Sequence, residues 1–178
     1  LVNWNTCDLL RDCLKSIFDT KGDLKIEVFV IDNASSDESN EMVRSEFPDV
    51  LLVENIRNLG FAKANNQGIN LSTGRNVFLL NPDTLVHDGA LQKMVRFLDM
   101  NSSTGAVAAR LLNTDGSLQY SVRRFPTVLT PFTENTNLAR VPGIRRYSKK
   151  SRMMEWGHDE IREVEQPVFL GYYYKNKK

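Results

Sequence analysis

A carboxylate carried on a proline-fixed turn directly after a short apolar run is the part of this sequence best suited to chemistry. Val77-Phe78-Leu79-Leu80 gives way to Asn81-Pro82-Asp83-Thr84, and a run this short, without a helical stripe, reads as a strand covered on both faces. Pro82 cannot donate to a ladder, so it ends the pairing and projects Asn81 and Asp83 beyond the sheet edge. In open parallel sheets that edge is where ligands bind. The same four residues also read as a plain turn and helix cap, since Asn, Pro and Asp are ordinary turn formers. Two further polar turns follow apolar runs: Asp32 after residues 26–31, and Arg57 after residues 50–53. An acid that accepts from a base N–H, an arginine that meets phosphate and a second acid suited to a hard divalent cation form a set for a nucleoside diphosphate. None of the ten glycines builds GxGxxG or GxxxxGK[ST], which argues against a dinucleotide dehydrogenase or a P-loop enzyme. Metal and arginine must then hold the diphosphate.

Alternating strands and helices must position these turns. Thr6 can cap a helix whose Leu9, Leu10, Cys13, Leu14, Ile17 and Phe18 share one face. Ile26-Glu27-Val28-Phe29-Val30-Ile31 is a β-branched and aromatic run, hence a core strand. Ser35 and Glu38 have capping-box spacing for the helix that carries Met42, Val43 and Phe47. Residues 50–53 form the next strand, and a loop with a hinge at Gly60 feeds a helix in which Ala64 and Gly68 permit close approach to a neighbouring backbone. The strand before Asp83, a helix with Leu91, Met94, Val95 and Leu98, a strand over 106–112, a turn at Asn113-Thr114-Asp115-Gly116 and a short strand over 117–122 complete the pattern. Regular alternation of this kind predicts an α/β fold with a mostly parallel sheet flanked by helices. Residues 123–157 lack a sustained period and read as a functional or mobile loop. Val168-Phe169-Leu170-Gly171-Tyr172-Tyr173-Tyr174 reads as a final strand.

The chain has 178 residues and a formal net charge of +1, which fits one soluble globular domain with no global pull toward nucleic acid. Its cations are uneven, with Arg123, Arg124, Arg140, Arg145, Arg146, Lys149, Lys150 and Arg152 crowded together and Lys175, Lys177 and Lys178 at the end. That segment reads either as a solvated loop or as a patch for phosphate groups or an anionic membrane surface. Cys7 and Cys13 do not have CxxC spacing and read as reduced thiols, as in a cytoplasmic protein, Cys13 on an apolar helical face. The sequence contains no signal peptide and no span of about 20 apolar residues. Leu1-Val2 reads like the tail of a strand that begins earlier.

Taken in order, Val2-Asn3-Trp4-Asn5, Ile31-Asp32-Asn33-Ala34-Ser35-Ser36-Asp37, Arg57-Asn58-Leu59-Gly60-Phe61-Ala62, Asn65-Asn66-Gln67-Gly68 and Leu80-Asn81-Pro82-Asp83-Thr84 resemble the family 2 glycosyltransferases. The rhamnosyltransferase-like branch is the nearest in pattern, because residues 110–119 and Arg123-Arg124-Phe125-Pro126-Thr127 resemble it as well. The resemblance implies a GT-A (nucleotide-diphospho-sugar transferase, Rossmann-like) fold, with Asn81-Pro82-Asp83 at the DxD position. It implies nucleotide contacts from Asn3, Asn5, Asp32, Arg57, Gly60, Lys63 and Asn81, with Asp32 facing the base, and a Mg²⁺ or Mn²⁺ ion on Asp83. Asn81 departs from a strict DxD and would contact sugar or ribose. Residues 1–112 would form the nucleotide-sugar-binding half of a single, incomplete domain, and residues 113–178 part of an acceptor side. The implied activity is inverting, metal-assisted transfer of a sugar, rhamnose as first guess, from a nucleotide-diphosphate donor to a saccharide or lipid-linked acceptor, with peripheral contact on the inner face of the membrane.

The acidic motif that supplies the catalytic base in inverting members has no counterpart after residues 164–178, so no catalytic residue is assigned. Asp159, Glu160, Glu163 and Glu165 precede that stretch and read as solvated charges. An alternative is therefore a non-catalytic nucleotide-sugar-binding remnant or a truncated chain without the base. A sugar nucleotidyltransferase is disfavoured, because no glycine-rich basic loop stands near the N-terminus.

Overall fold

The computed structural model describes residues 1–127, 150–167 and 171–175. The basic residues Arg140, Arg145, Arg146, Lys149, Lys177 and Lys178, and the apolar Val168-Phe169-Leu170, lie outside the described residues. The chain divides into two compact units, Leu1–Ala109 with Leu170–Lys178, and Arg110–Phe169. The final strand belongs to the first of them.

In the first unit, β1 (Val2–Asn3), β2 (Phe29–Asp32) and β3 (Leu51–Glu54) form a parallel sheet in the order β1-β2-β3. A second sheet has β4 (Asn76–Leu80) and β5 (Ala106–Ala108) on either side of β10 (Gly171–Lys175). Both run antiparallel to β10 and hence parallel to each other, so β10 is the reversed strand in an otherwise parallel arrangement. Four helices accompany the strands: α1 (Cys7–Thr20), α2 (Ser39–Glu46), α3 (Phe61–Leu71) and α4 (Ala90–Met100).

One apolar cluster joins them. Leu10, Cys13, Leu14 and Ile17 of α1 pack with Val28 and Val30, with Met42 and Val43 of α2, and with Leu80, Val86, Leu91 and Met94. This is the helical face expected from the spacing, and its burial is what stabilises α1, since Thr6 makes no side-chain cap. α3 lies on β2 through its small residues. Ala64 is fully buried, and a Cβ added at Gly68 would stand 3.6 Å from Ile31 Cγ1. Between β2 and β4 is an apolar cavity of about 170 Å³, lined by Val28, Phe29, Ile31, Phe78 and Leu80 among others and by none of the predicted site residues.

Two boundaries differ from the sequence pattern. The strand expected over 26–31 is regular from Phe29 onward. The strand expected over 106–112 breaks after Ala108, and β6 (Leu111–Leu112) then pairs with β7 (Leu118–Gln119) in the second unit. Gly116, at φ 79°, makes the hairpin turn between them, which demands glycine. In the same unit β8 (Val122–Arg123) pairs antiparallel with β9 (Gln166–Pro167), and the Phe125 N–H donates to Glu165 Oε2 at 2.8 Å.

Candidate active site

Because β1, β2 and β3 are parallel and in register, their carboxyl ends bring Asn3, Asp32 and Glu54 side by side. Asn3 and Asp32 are buried. Asn3 Nδ2 donates to Asp32 Oδ1 at 2.8 Å and to Ser35 Oγ at 3.1 Å. Asp32 also accepts from the Ser35 N–H at 2.8 Å, from the Ser35 hydroxyl, and from Asn40 Nδ2 at 3.3 Å. Four donors occupy about the four lone-pair sites of one carboxylate. Asp32 is thus the hub of the loop after β2, saturated by the protein itself, in contrast to the free acceptor that its position at a strand end suggests.

The loop after β1 is stitched to this hub. The Asn5 N–H donates to Ser35 Oγ at 2.9 Å, and Asn5 Oδ1 accepts from the Ser36 N–H at 2.7 Å. Both loops pass through left-handed backbone at non-glycine residues, Asn5 with φ 54° and Ala34 with φ 64°, a conformation that persists where surrounding bonds over-determine it. Asn5 itself is exposed, so the stitched pair of loops presents its amide at the surface.

The expected capping box does not form: Ser35 serves Asp32, and Asp37 meets the helix start instead. Its Oδ1 accepts from the Ser39 N–H at 3.1 Å, and its Oδ2 from the Cys7 N–H at 3.0 Å, so one carboxylate satisfies the first N–H of α2 and of α1 together. Burial raises its pKa, but bonds from the Ser39 hydroxyl and from backbone N–H groups outweigh this and hold the carboxyl below its ordinary value.

The third loop, residues 55–60, carries Arg57 and Gly60. Asn55 and Gln67 exchange two amide bonds, each 2.9 Å long, and buried Asn33 accepts from Asn55 Nδ2 at 3.1 Å and from the Leu59 N–H at 3.4 Å. Gly60 enters α3 with φ 80°, the positive dihedral that its hinge role predicts. α3 has no side-chain cap and no acid in its first turn, while Lys63 stands there exposed, as Arg57 does in the loop.

The turn after β4 is held by α1. The Thr84 hydroxyl donates to the Asn81 carbonyl at 2.6 Å, the Cys13 thiol reaches the same carbonyl at 3.7 Å, and the Val86 N–H donates to Ser16 Oγ at 2.9 Å. Asp83 is exposed on this turn and Asn81 is half-buried. Cys13 is pushed up to about 12, first by burial, with a small further push from Asp83. Both cysteines are free thiols.

No group of three His, Cys, Asp or Glu side chains converges among the described residues. One exposed carboxylate suits a hard divalent ion whose remaining ligands come from a bound diphosphate and water, the usual mode for Mg²⁺. Asp83 therefore fits a metal that arrives with its nucleotide.

Residues 1–159 match the model of Glycosyl transferase family 2. The chain belongs to this family. A poly-beta-1,6-N-acetyl-D-glucosamine synthase of Staphylococcus aureus (strain MSSA476) is 27% identical over 175 residues, covering 92% of the chain and 42% of the relative. The glycosyltransferase SunS of Bacillus subtilis (strain 168) is 25% identical over 127 residues, covering 70% of the chain and 29% of the relative. The chain thus spans less than half the length of these curated relatives. Among solved structures, the mannosyltransferase PcManGT of Pyrobaculum calidifontis, in complex with GDP-Man and Mn²⁺, superposes with a TM-score of 0.56 at 28% identity, over 63% of the chain and 34% of its own. Glucosyl-3-phosphoglycerate synthase of Mycobacterium tuberculosis, in complex with UDP, superposes with a TM-score of 0.59 over 99% of the chain and 55% of its own, and at 16% identity shows the fold alone. The fold is GT-A. No helix among the described residues is long and apolar enough to cross a membrane.

The sequence singles out Asn3, Asn5, Asp32, Arg57, Gly60, Lys63, Asn81 and Asp83 as candidates, and it assigns no role to the residues that hold the loops after β1, β2 and β3: Ser35, Asp37, Asn40, Asn33, Asn55 and Gln67. The signal for Asp37 was present, an acid two residues before Ser39 with α2 starting there, but the Ser35–Glu38 spacing competed with it.

Proposed function

We propose that this chain is the nucleotide-sugar-binding part of a glycosyltransferase that moves a hexose from a nucleotide-diphosphate donor to a saccharide or lipid-linked acceptor with the help of a divalent cation. The observation that carries the reading is the pair of stitched loops after β1 and β2, together with exposed Asp83 on the turn after β4. Asn3 and Asp32 hold the base-side loop in shape from behind, and Asn5 presents its amide on the outer side. Arg57 and Lys63 face the phosphates as cations. Asn81 takes a sugar or ribose hydroxyl. A divalent cation held by Asp83 and the diphosphate would offset charge on the leaving group. The catalytic base is assigned to no residue, and displacement at the anomeric carbon requires one to take the acceptor's proton.

For the donor sugar, motif likeness favours rhamnose, whereas the relatives' names carry N-acetylglucosamine and mannose. Calorimetric titration with dTDP-rhamnose, UDP-GlcNAc and GDP-mannose, each with Mn²⁺ and with chelator, discriminates them. We expect metal-dependent binding of one donor and its loss in Asp83→Ala. Absence of metal-dependent binding for all three, or undiminished binding in the variant, would reject the reading.

A further inference from the structure

Within the second unit, a short stretch combines features that the donor site leaves unused. Trp156 and His158 place their rings 4.3 Å apart, centroid to centroid, at 35°. Trp156 Nε1 and His158 Nε2 are both shut off from solvent, and neither has a hydrogen-bond partner among the described residues. An orphaned buried ring nitrogen leaves its desolvation uncompensated, so two on neighbouring rings call for an explanation. His158 also sits in left-handed backbone at φ 52°, as Met153 does at φ 48°. Strain of this kind is held where the surroundings over-determine it.

Two arginines stand near the pair, and the Asp159 carboxylate lies beside Gly157, which separates the two rings in sequence. Arg162 holds its guanidinium 5.7 Å from the centre of the Trp156 ring, and Arg110 is close enough to His158 to oppose its protonation, second to burial, so that its pKa is lowered. Neither arginine has an ion-pair partner among the described residues, and both are exposed. The ring of Tyr120 meets His158 edge-on at 5.9 Å and is 41% exposed.

We infer that Trp156, His158, Arg110 and Arg162 form a subsite for a phosphate-type oxyanion. Indole Nε1–H is a donor only, and imidazole Nε2 is a donor in one neutral tautomer and in the cation. The indole already stacks on His158 and carries a guanidinium over its face, so what it has left to offer is its N–H edge, which suits an acceptor atom better than a sugar ring. An oxyanion would accept from both orphaned nitrogens and neutralise the two arginines. Because both nitrogens are shut off from solvent, side chains beside the pair would have to move to admit it. For the transferase proposed above, this would be a place for a phosphate on the acceptor; that use rests on the proposed function, whereas the binding itself does not.

The test is an NMR titration of the full chain with inorganic phosphate, in chelator so that metal-dependent nucleotide binding is silent, against a sodium chloride control of equal ionic strength. The readouts are the Trp156 indole N–H resonance and the His158 titration midpoint. Trp4, the second tryptophan of the chain and 57% exposed, is the internal reference. We expect a saturable shift at Trp156 absent from Trp4, and an upward move of the His158 midpoint, since a nearby anion favours imidazolium. Arg110→Gln and Arg162→Gln should each raise the half-saturating phosphate concentration roughly tenfold. Trp156→Phe, which keeps a ring and removes the donor, should weaken the phosphate-induced move at His158. Vesicles containing phosphatidic acid, compared with phosphatidylcholine alone, separate the sources: protection of Trp156 from a soluble quencher only by the acidic vesicles identifies a lipid headgroup, and a response to phosphate alone identifies a free or soluble phosphate. No shift beyond the salt control with either probe, or equal shifts in wild type and both arginine variants, overturns the subsite and leaves the donor-site reading untouched.

Discussion

Asn3 and Asp32 are register partners in the β1–β2 ladder, and Asn3 Nδ2 donates to Asp32 Oδ1 at 2.8 Å. Each residue ends its strand, so the bond ties together the two loops that leave the sheet. Asn3 Oδ1 in turn accepts from the Thr6 hydroxyl at 2.6 Å, which extends the tie to the entrance of α1. A pair of loops tied this way is held in shape without a ligand, and a ligand that met them would cost them less conformational freedom.

Asp32→Asn should destabilise the fold as well as the site. An amide has one acceptor oxygen, and its NH2 would face donors from Asn3, Ser35 or Asn40. Leaving buried donors unpaired costs about 1–3 kcal/mol, and urea unfolding should show a loss of that size. Nucleotide affinity should fall for every base by a similar factor, because the loop's shape is what changes. Selective loss for uracil or thymine alone, at unchanged stability, would instead mean that Asp32 touches the base directly.

Asp83→Asn should behave in the opposite way. The side chain is exposed and makes none of the hydrogen bonds that hold the turn, so the stability change should stay within about 0.5 kcal/mol. Diphosphate affinity in Mn²⁺ should drop to the value measured in chelator. An unchanged Mn²⁺ effect in this variant would remove Asp83 from the metal site.

The chain order of strands and helices was legible because apolar periodicity reports burial directly: α1 displays Leu10, Cys13, Leu14 and Ile17 to the core as its spacing demands. The turns at the strand ends were legible because an apolar run that stops at polar turn residues marks where a strand leaves the sheet. What could not be read is how the turns hold one another. Ser35 stands 32 positions from Asn3 and 30 from Asn5 in sequence, and side-chain bonds between adjacent loops leave no period behind. The same limit hid the reversed β10, whose antiparallel placement between β4 and β5 is a matter of topology.

The Asn55–Gln67 pair should control Arg57 without touching a ligand. Gln67→Ala removes both reciprocal amide bonds and leaves the 55–60 loop tied by Asn33 and by the Asn55 N–H to the Asp32 carbonyl. We expect diphosphate affinity to weaken severalfold while Mn²⁺ dependence persists. Combining Gln67→Ala with Arg57→Ala should cost little more than Arg57→Ala alone, the sign that the two act on one interaction. Additive losses in that cycle would show that the pair serves the fold and not the arginine.

Cys13 should make stability fall at alkaline pH. Its thiol titrates at about 12 in the folded chain against 9.0 as the ordinary value, because burial penalises the thiolate. Between those values the unfolded chain has lost the proton and the folded chain keeps it. The native state then binds more protons, and stability decreases as pH rises. Below 9.0 both states hold the proton and the full contribution is present. From about pH 8 to about pH 10.5 the loss amounts to about 2 kcal/mol for one group at 1.36 kcal/mol per unit. Tyrosine and lysine side chains titrate in the same range, so the informative quantity is the difference between wild type and Cys13→Ala at each pH, in which those groups cancel. Urea unfolding should show the advantage of wild type over the variant shrinking by that amount across the interval. An advantage constant with pH would mean that the thiol ionises in the folded chain as readily as in the unfolded one. Its contact with the Asn81 carbonyl, and with it the dry packing of α1 against the turn that carries Asp83, would then have to be abandoned.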